Sequence, residues 1–211
     1  MAQIWLKFED RIITSIRSYQ SKISAPDDYD KMKKLLRGFN SAMQRLNLET
    51  NSITSIQNQL RDQYHEVLLT RYAEIFDAII EKDNFTPLLV SQSQEEFEIY
   101  AVFPFNKDFI GSSFGILESP GYSGNVYPKK LPFSRMVLRI FGQLKKFIDD
   151  YLGYCAGVEL TSMEIDEAAR KAVISLIRRP LRDSLKKLTK QENVGLHQLM
   201  QVTNIYMQIY T

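Results

Sequence analysis

The sequence predicts an all-α fold: an elongated, rod-like bundle of about six helices interrupted by one long irregular excursion. Three observations carry that expectation. Apolar residues recur at steps of three and four along most of the chain, which at 3.6 residues per turn gathers them into stripes. Backbone breakers crowd into one segment, with Gly111, Gly115, Gly121 and Gly124 beside Pro104, Pro120, Pro128 and Pro132. One stripe, from Ile53 to Asp83, is long enough for a helix of about 45 Å, more than an ordinary compact domain needs.

A first helix is expected from about Gln3 to Ile23, with Trp5, Phe8, Ile12, Ile16, Tyr19 and Ile23 as its stripe. Ser24-Ala25-Pro26-Asp27 ends it, and Asp27 offers a carboxylate N-cap to the next. The second helix spans about Asp28 to Leu46, with a heptad-like seam of Tyr29, Met32, Leu36, Phe39, Met43 and Leu46. Asn47 tolerates a left-handed turn, and Thr50 can cap the third helix. Because the seam nearly continues to Ile53, two helices and one bent helix both remain open here. The long helix carries Ile53, Ile56, Leu60, Tyr64, Val67, Leu68, Tyr72, Ile75, Phe76, Ile79 and Ile80, and Phe85-Thr86-Pro87 breaks it.

From Pro87 to Phe133 no regular element is expected beyond a short strand or extended piece at Phe97, Ile99, Ala101 and Phe103. Helix resumes after Ser134, an N-cap, and runs through Val137, Ile140, Phe141, Leu144, Phe147, Ile148, Tyr151 and Cys155 until Gly153 and Gly157 stop it. Thr161-Ser162-Met163-Glu164 reads as a capping box. The helix it opens is kinked or interrupted by Pro180, after which Leu181, Leu185 and Leu188 continue the pattern. Asn193-Val194-Gly195 supplies a stop, and Leu196, Leu199, Met200, Thr203, Tyr206 and Tyr210 mark a last helix that no signal terminates before Thr211. We therefore read one helical-bundle domain over 1–211 within a larger protein. Its parts are N-terminal helices in 1–86, the irregular excursion in 87–133 and C-terminal helices in 134–211.

Composition narrows the function. The chain is 44% apolar and 25% charged, with a formal net charge of +2, as in an ordinary soluble globular protein. That balance argues against nucleic acid, which a strongly basic domain normally announces. No run approaches the roughly 18 apolar residues of a membrane span, and the acidic, amphipathic N-terminus is not a secretory signal. The single cysteine, Cys155, fits a reducing compartment, and on an apolar stripe it reads as a small buried hydrophobe.

Reactive constellations are lacking. His65, His197 and Cys155 suggest neither a triad nor a zinc site, and the glycine clusters lack the lysine and helix start of a phosphate loop. No cofactor or metal is expected, and the chain does not read as an enzyme. Between Arg170 and Lys190 the chain is basic, with Asp183 its only acid. Arg178, Arg179, Arg182, Lys186 and Lys187 are the candidate contacts for an anion or an acidic partner there. A solvated face answering acids on neighbouring helices is the plainer account. Trp5, left over near the terminus, is a candidate for contact with another chain.

Several stretches together resemble a known family. They are Arg61-Asp62-Gln63-Tyr64 with Leu68-Leu69, Asp83-Asn84-Phe85-Thr86-Pro87, Phe103-Pro104-Phe105, Leu131-Pro132-Phe133-Ser134, Ser162-Met163-Glu164-Ile165-Asp166 with Arg170-Lys171, and Val194-Gly195-Leu196 with Leu199, Gln201 and Val202. In order and spacing this set is similar to the C-terminal region of the Rab-effector subunit of the exocyst, the Sec-fifteen family, over roughly Asn51 to Val202. The excursion from Gly111 to Gly124 and the Pro180 interruption depart from that pattern. The resemblance implies a cytoplasmic scaffold of stacked helical bundles, rod-like as in multisubunit tethers, peripheral at secretory vesicles and plasma membrane. It also implies partners, namely other exocyst subunits and a Rab-family GTPase whose contact residues lie beyond Thr211. The alternative is a basic helical module that binds an anionic membrane or an acidic protein.

Overall fold

The computed structural model describes residues 2–102, 127–131, 133–156, 161–190 and 195–210, and these residues are overwhelmingly helical. In order they form α1 (Ala2–Gln20), α2 (Pro26–Arg45), α3 (Asn51–Glu81), β1 (Leu89–Val90), α4 (Ser93–Val102), β2 (Lys129–Lys130), α5 (Arg135–Cys155), α6 (Ser162–Leu176), a π-turn (Ile177–Leu181), α7 (Arg182–Thr189) and α8 (Leu196–Tyr210). The all-α expectation holds. The glycine-rich stretch Gly111–Gly124, Phe103-Pro104-Phe105, Gly157 and Asn193-Val194 lie outside the described residues.

The chain gathers into two compact units. The first comprises Met1–Arg71 and Phe147–Ser175, the second Tyr72–Lys146 and Leu176–Thr211.

In the first unit, α2 and α3 are separate helices rather than one bent rod. Asn47 takes the left-handed conformation, with φ 53°, and the Thr50 carbonyl accepts the first amides of α3. Pro26 opens α2 rather than closing α1. It occupies the first turn, where its missing N–H is no loss, behind an Ala25 N-cap that makes no side-chain bond. Asp27 sits in that first turn beside Asp28, where a carboxylate meets the positive end of the helix dipole without capping. α1 stops at Gln20, short of Ile23, and exposes Phe8 and Tyr19 while burying Ile16 and Gln20. The Gln20 amide donates to Gln63 Oε1 at 2.8 Å, so that face is chosen partly by a polar contact that an apolar count misses. Trp5 is half-buried and donates to the Glu49 carbonyl at 3.1 Å, a partner within its own chain.

The core of this unit is the α3 stripe, Ile53, Ile56, Leu60, Tyr64 and Leu68, against Tyr29, Met32 and Leu36 of α2 and Phe147, Tyr151, Tyr154 and Cys155 of α5. Each such side chain contributes roughly 1.5–3 kcal/mol by leaving water. α5 runs through Gly153 to Cys155, so that glycine does not end the helix. A mid-helix glycine costs about 1 kcal/mol, which the burial of Tyr151, Tyr154 and Cys155 around it offsets.

The second unit corrects the reading of 87–133. Residues 93–102 are the helix α4, not a strand. Ser93-Gln94-Glu95-Glu96 is rich in helix formers, with both carboxylates in the first turn, and Gln94 bonds Glu98 one turn on at 3.3 Å. Ile99 is buried while Phe97 is 68% exposed, so their spacing of two did not mark one face of a sheet. Nor is the rest wholly irregular. β1 and β2 pair antiparallel, Leu89 opposite Lys130 and Val90 opposite Lys129, and Leu88 bonds both Phe133 and Leu131 at 2.8 Å. Lys129 and Tyr127 then tie this ribbon to Glu96 on α4 at 2.8 and 2.6 Å.

The last helix turns a different face inward from the one its apolar residues marked. Leu196 and Leu199 are 75% and 39% exposed, while Gln201, Val202 and Ile205 are buried. Gln201 accepts the Ser134 amide at 3.0 Å and donates to the Phe85 carbonyl at 2.9 Å. Those two bonds fix the rotation of α8, and only a polar residue supplies them. Ser134 caps α5 as expected, its hydroxyl accepting the Met136 amide at 3.2 Å.

Candidate functional site

The basic run lies on the π-turn and α7. Leu176 and Leu181 are both buried yet five residues apart, a step that in an α-helix would turn the second leucine about 140° off the stripe. Pro180 also removes one amide and crowds the carbonyl four residues back. A π-turn, bonded i to i+5, answers both demands, since it widens around the proline and returns Leu181 to the buried side. Leu185 and Leu188 continue in phase. The interruption expected at Pro180 is therefore a local widening, and α7 continues beyond it.

All five candidate contacts, Arg178, Arg179, Arg182, Lys186 and Lys187, come out exposed on this segment. Arg182 and Lys187 are held by carboxylates. The Arg182 guanidinium reaches Asp183 Oδ1 with two nitrogens, at 3.2 and 3.1 Å. Lys187 pairs with Asp77 on α3. Burial pushes the Asp77 carboxyl up, but hydrogen bonds from Lys187 and Ser184 outweigh it and leave the group below its usual range. Asp77, Glu81 and Phe85 line one side of a groove of about 460 Å³, with Ser184, Lys187 and Leu188 on the other. The five residues thus stand exposed on one helical segment, beside an acidic border that the run of residues 170–190 did not reveal.

A second groove, of about 500 Å³, lies in the first unit, where Arg61, Asp62, His65 and Glu66 of α3 face Glu164 and Lys171 of α6. Its cations are engaged, Arg61 with Asp62 at 3.1 Å and Lys171 with Glu167 at 2.7 Å. His65 is half-buried, edge-on to the rings of Phe147 and Tyr151 at 6.3 and 5.6 Å. Cys155 is fully buried, and burial pushes its thiol above the ordinary value, away from the reactive thiolate. Among the described residues no group of three His, Cys, Asp or Glu side chains could hold a metal ion, and no helix is long and apolar enough to cross a membrane.

Two polar side chains were given no structural role from the sequence. Lys33, at the centre of a charged stretch, turns inward to the end of α5, and Gln201 lies among apolar residues. Its spacing of four from Ile205, with Val202 beside it, is a stripe signal visible once polar residues are allowed on a stripe.

Fold and surface together define an all-helical module whose charged groups stand on helix faces and shallow grooves. The chain belongs to the family of exocyst complex subunit Sec15 C-terminal regions, whose model matches residues 52–208. It is 30% identical to human exocyst complex component 6B over 200 residues, covering 95% of this chain and 23% of the relative. Exocyst complex component 6 of Drosophila melanogaster is 27% identical over 203 residues, covering 96% of this chain and 25% of that protein. A crystal structure of a Sec15 C-terminal domain aligns at a TM-score of 0.52 and 29% identity, over 76% of this chain and 49% of that one. The chain spans about a quarter of the length of these curated relatives.

Proposed function

We propose that this chain is a scaffold portion of an exocyst subunit that tethers secretory vesicles to the plasma membrane through protein–protein contacts. The observation that carries the reading is the family match across 52–208, which includes α3, α5, the capping box of α6 and the buried face of α8. Helices held by apolar stripes, with charge left on their surfaces, suit a part whose work is done by stiffness and surface.

Its partners in this reading are other exocyst subunits and a GTP-loaded Rab-family GTPase. In this reading the Rab contacts lie outside this chain, so no residue of it is assigned to them. Pull-downs with this chain, and with a version extended past Thr211, against nucleotide-loaded Rabs and exocyst subunits test the proposal. We expect exocyst subunits to be retained by both, and a GTP-loaded Rab by the extended version alone. Retention of no exocyst subunit by either version would overturn it.

A further inference from the structure

Arg178, Arg182, Lys186 and Lys190 stand at four-residue steps along the π-turn and α7, and all four are exposed. The opposite side buries Leu181, Ser184, Leu185 and Leu188, which fixes the row outward. From Arg178 to Lys190 the row runs about 18 Å, with a cation about every 6 Å. Towards α3 the row is bordered by acids, since Asp77 holds Lys187 and Glu81 lines the same groove.

We propose that this row docks an acidic helix of a protein partner, one that carries Asp or Glu at matching four-residue steps. Its cations form a line one helix wide rather than a broad basic patch. A flat anionic bilayer would extend over the line and bring its headgroups towards Asp77 and Glu81, whereas a helix laid along the row meets the cations with Asp183, beside Arg182, as the one acid within the segment. Membrane-surface helices also carry large apolar side chains beside their basic residues, and none is exposed between residues 176 and 190. Arg178 presents a planar fork that fits a carboxylate two bonds at a time, and Arg182, which gives two nitrogens to the exposed Asp183, would exchange that acid for the partner's. The family match does not assign this surface, and its docking role stands without the tethering reading.

The test measures binding of the full chain to two helical peptides of one composition. One carries glutamates on a single face at four-residue steps, and the other has the same residues shuffled so that glutamates encircle the helix. Vesicles of equimolar phosphatidylserine and phosphatidylcholine form a third arm. We expect the aligned peptide to bind more tightly than the shuffled one and to weaken with added salt. Reversing the row (R178E, R182E and K186E) should weaken it about tenfold or more. An equal reversal on the exposed face of α1 (K7E, R11E and R17E) should leave it unchanged. Circular dichroism checks that each variant folds, and the corresponding glutamine variants replace any that does not. Equal binding of the two peptides, equal weakening by the α1 reversal, or capture by vesicles without peptide binding would each overturn the proposal.

Discussion

The Lys33 ammonium lies 2.7 Å from the Tyr154 carbonyl oxygen and 4.6 Å from the centre of the same residue's ring. One side chain of α2 thus closes the open carbonyl end of α5 and covers a tyrosine that is itself stacked on Tyr64 at 3.9 Å. Asp30, one turn earlier on α2, holds the ammonium at 3.6 Å. A cation at a helix C-terminus is favoured by the dipole and by the orphan carbonyls there.

Lys33→Met keeps the apolar stem and deletes the charge. We expect it to destabilise the protein by about 1.5–3 kcal/mol, the scale of hydrogen bonds to a charged group, read as a shift in urea midpoint. An unchanged midpoint would show that water satisfies the α5 end equally well.

Gln201→Leu fills the same space but abandons two backbone groups, the Ser134 amide and the Phe85 carbonyl. A loss of roughly 2–5 kcal/mol is expected, because each stranded group costs about 1–3 kcal/mol. Gln201→Glu restores the acceptor, and its donor only when protonated, so that variant should be more stable in mild acid than at neutrality. Equal stability at both pH values would count against the two-bond role.

Thr161→Ala should cost about 1 kcal/mol by removing one half of a reciprocal cap. The Thr161 hydroxyl and amide both reach Glu164 Oε2 at 2.8 Å, and the Glu164 amide returns to the hydroxyl at 3.3 Å. The bond from the Thr161 amide, then that from its hydroxyl, holds the Glu164 carboxyl below its ordinary range. The cap's contribution is therefore present above that range and lost as pH falls through the lowered value. Helicity of the α6 region, followed by hydrogen exchange, should report both effects.

Alkali should weaken the first unit. Burial raises Tyr64 from 10.0 to about 12, and pushes Tyr151 and Tyr154 up as well. A raised folded-state value means that the stabilisation is complete below pH 10 and drains away as pH climbs towards 12. Tyrosinate absorbance that appears together with loss of helicity would match this, and titration without unfolding would not.

Asn40 is 3% exposed, and its Oδ1 has no hydrogen-bond partner among the described residues. Replacing it by leucine removes a stranded acceptor from an apolar seam, so Asn40→Leu should raise stability by about 1 kcal/mol or more. A fall in the thermal midpoint would mean that the site lacks room for the two bulkier methyl groups.

These cases mark how far the sequence could be read. Local rules were legible because they act within one or two turns, as with Ser134 and Thr161 as caps, Asn47 in its left-handed turn and the Ile53-to-Ile80 stripe. Rotation of a helix was less legible. α1 and α8 turn inward on Gln20 and Gln201, whose contacts lie 43 residues away in one case and 67 and 116 in the other. Period-two spacing misled at Phe97 and Ile99, since a ten-residue helix that buries one residue leaves hardly any periodic trace. The basic face was legible as charge, whereas its acidic border was not, because Asp77 and Lys187 are 110 residues apart.

The π-turn has a consequence for how this segment tolerates change. Between Leu176 and Leu181 the coil stores one residue of slack. A residue lost at that point leaves a step of four, which ordinary α winding seats on the same stripe, so Leu185 and Leu188 keep their place.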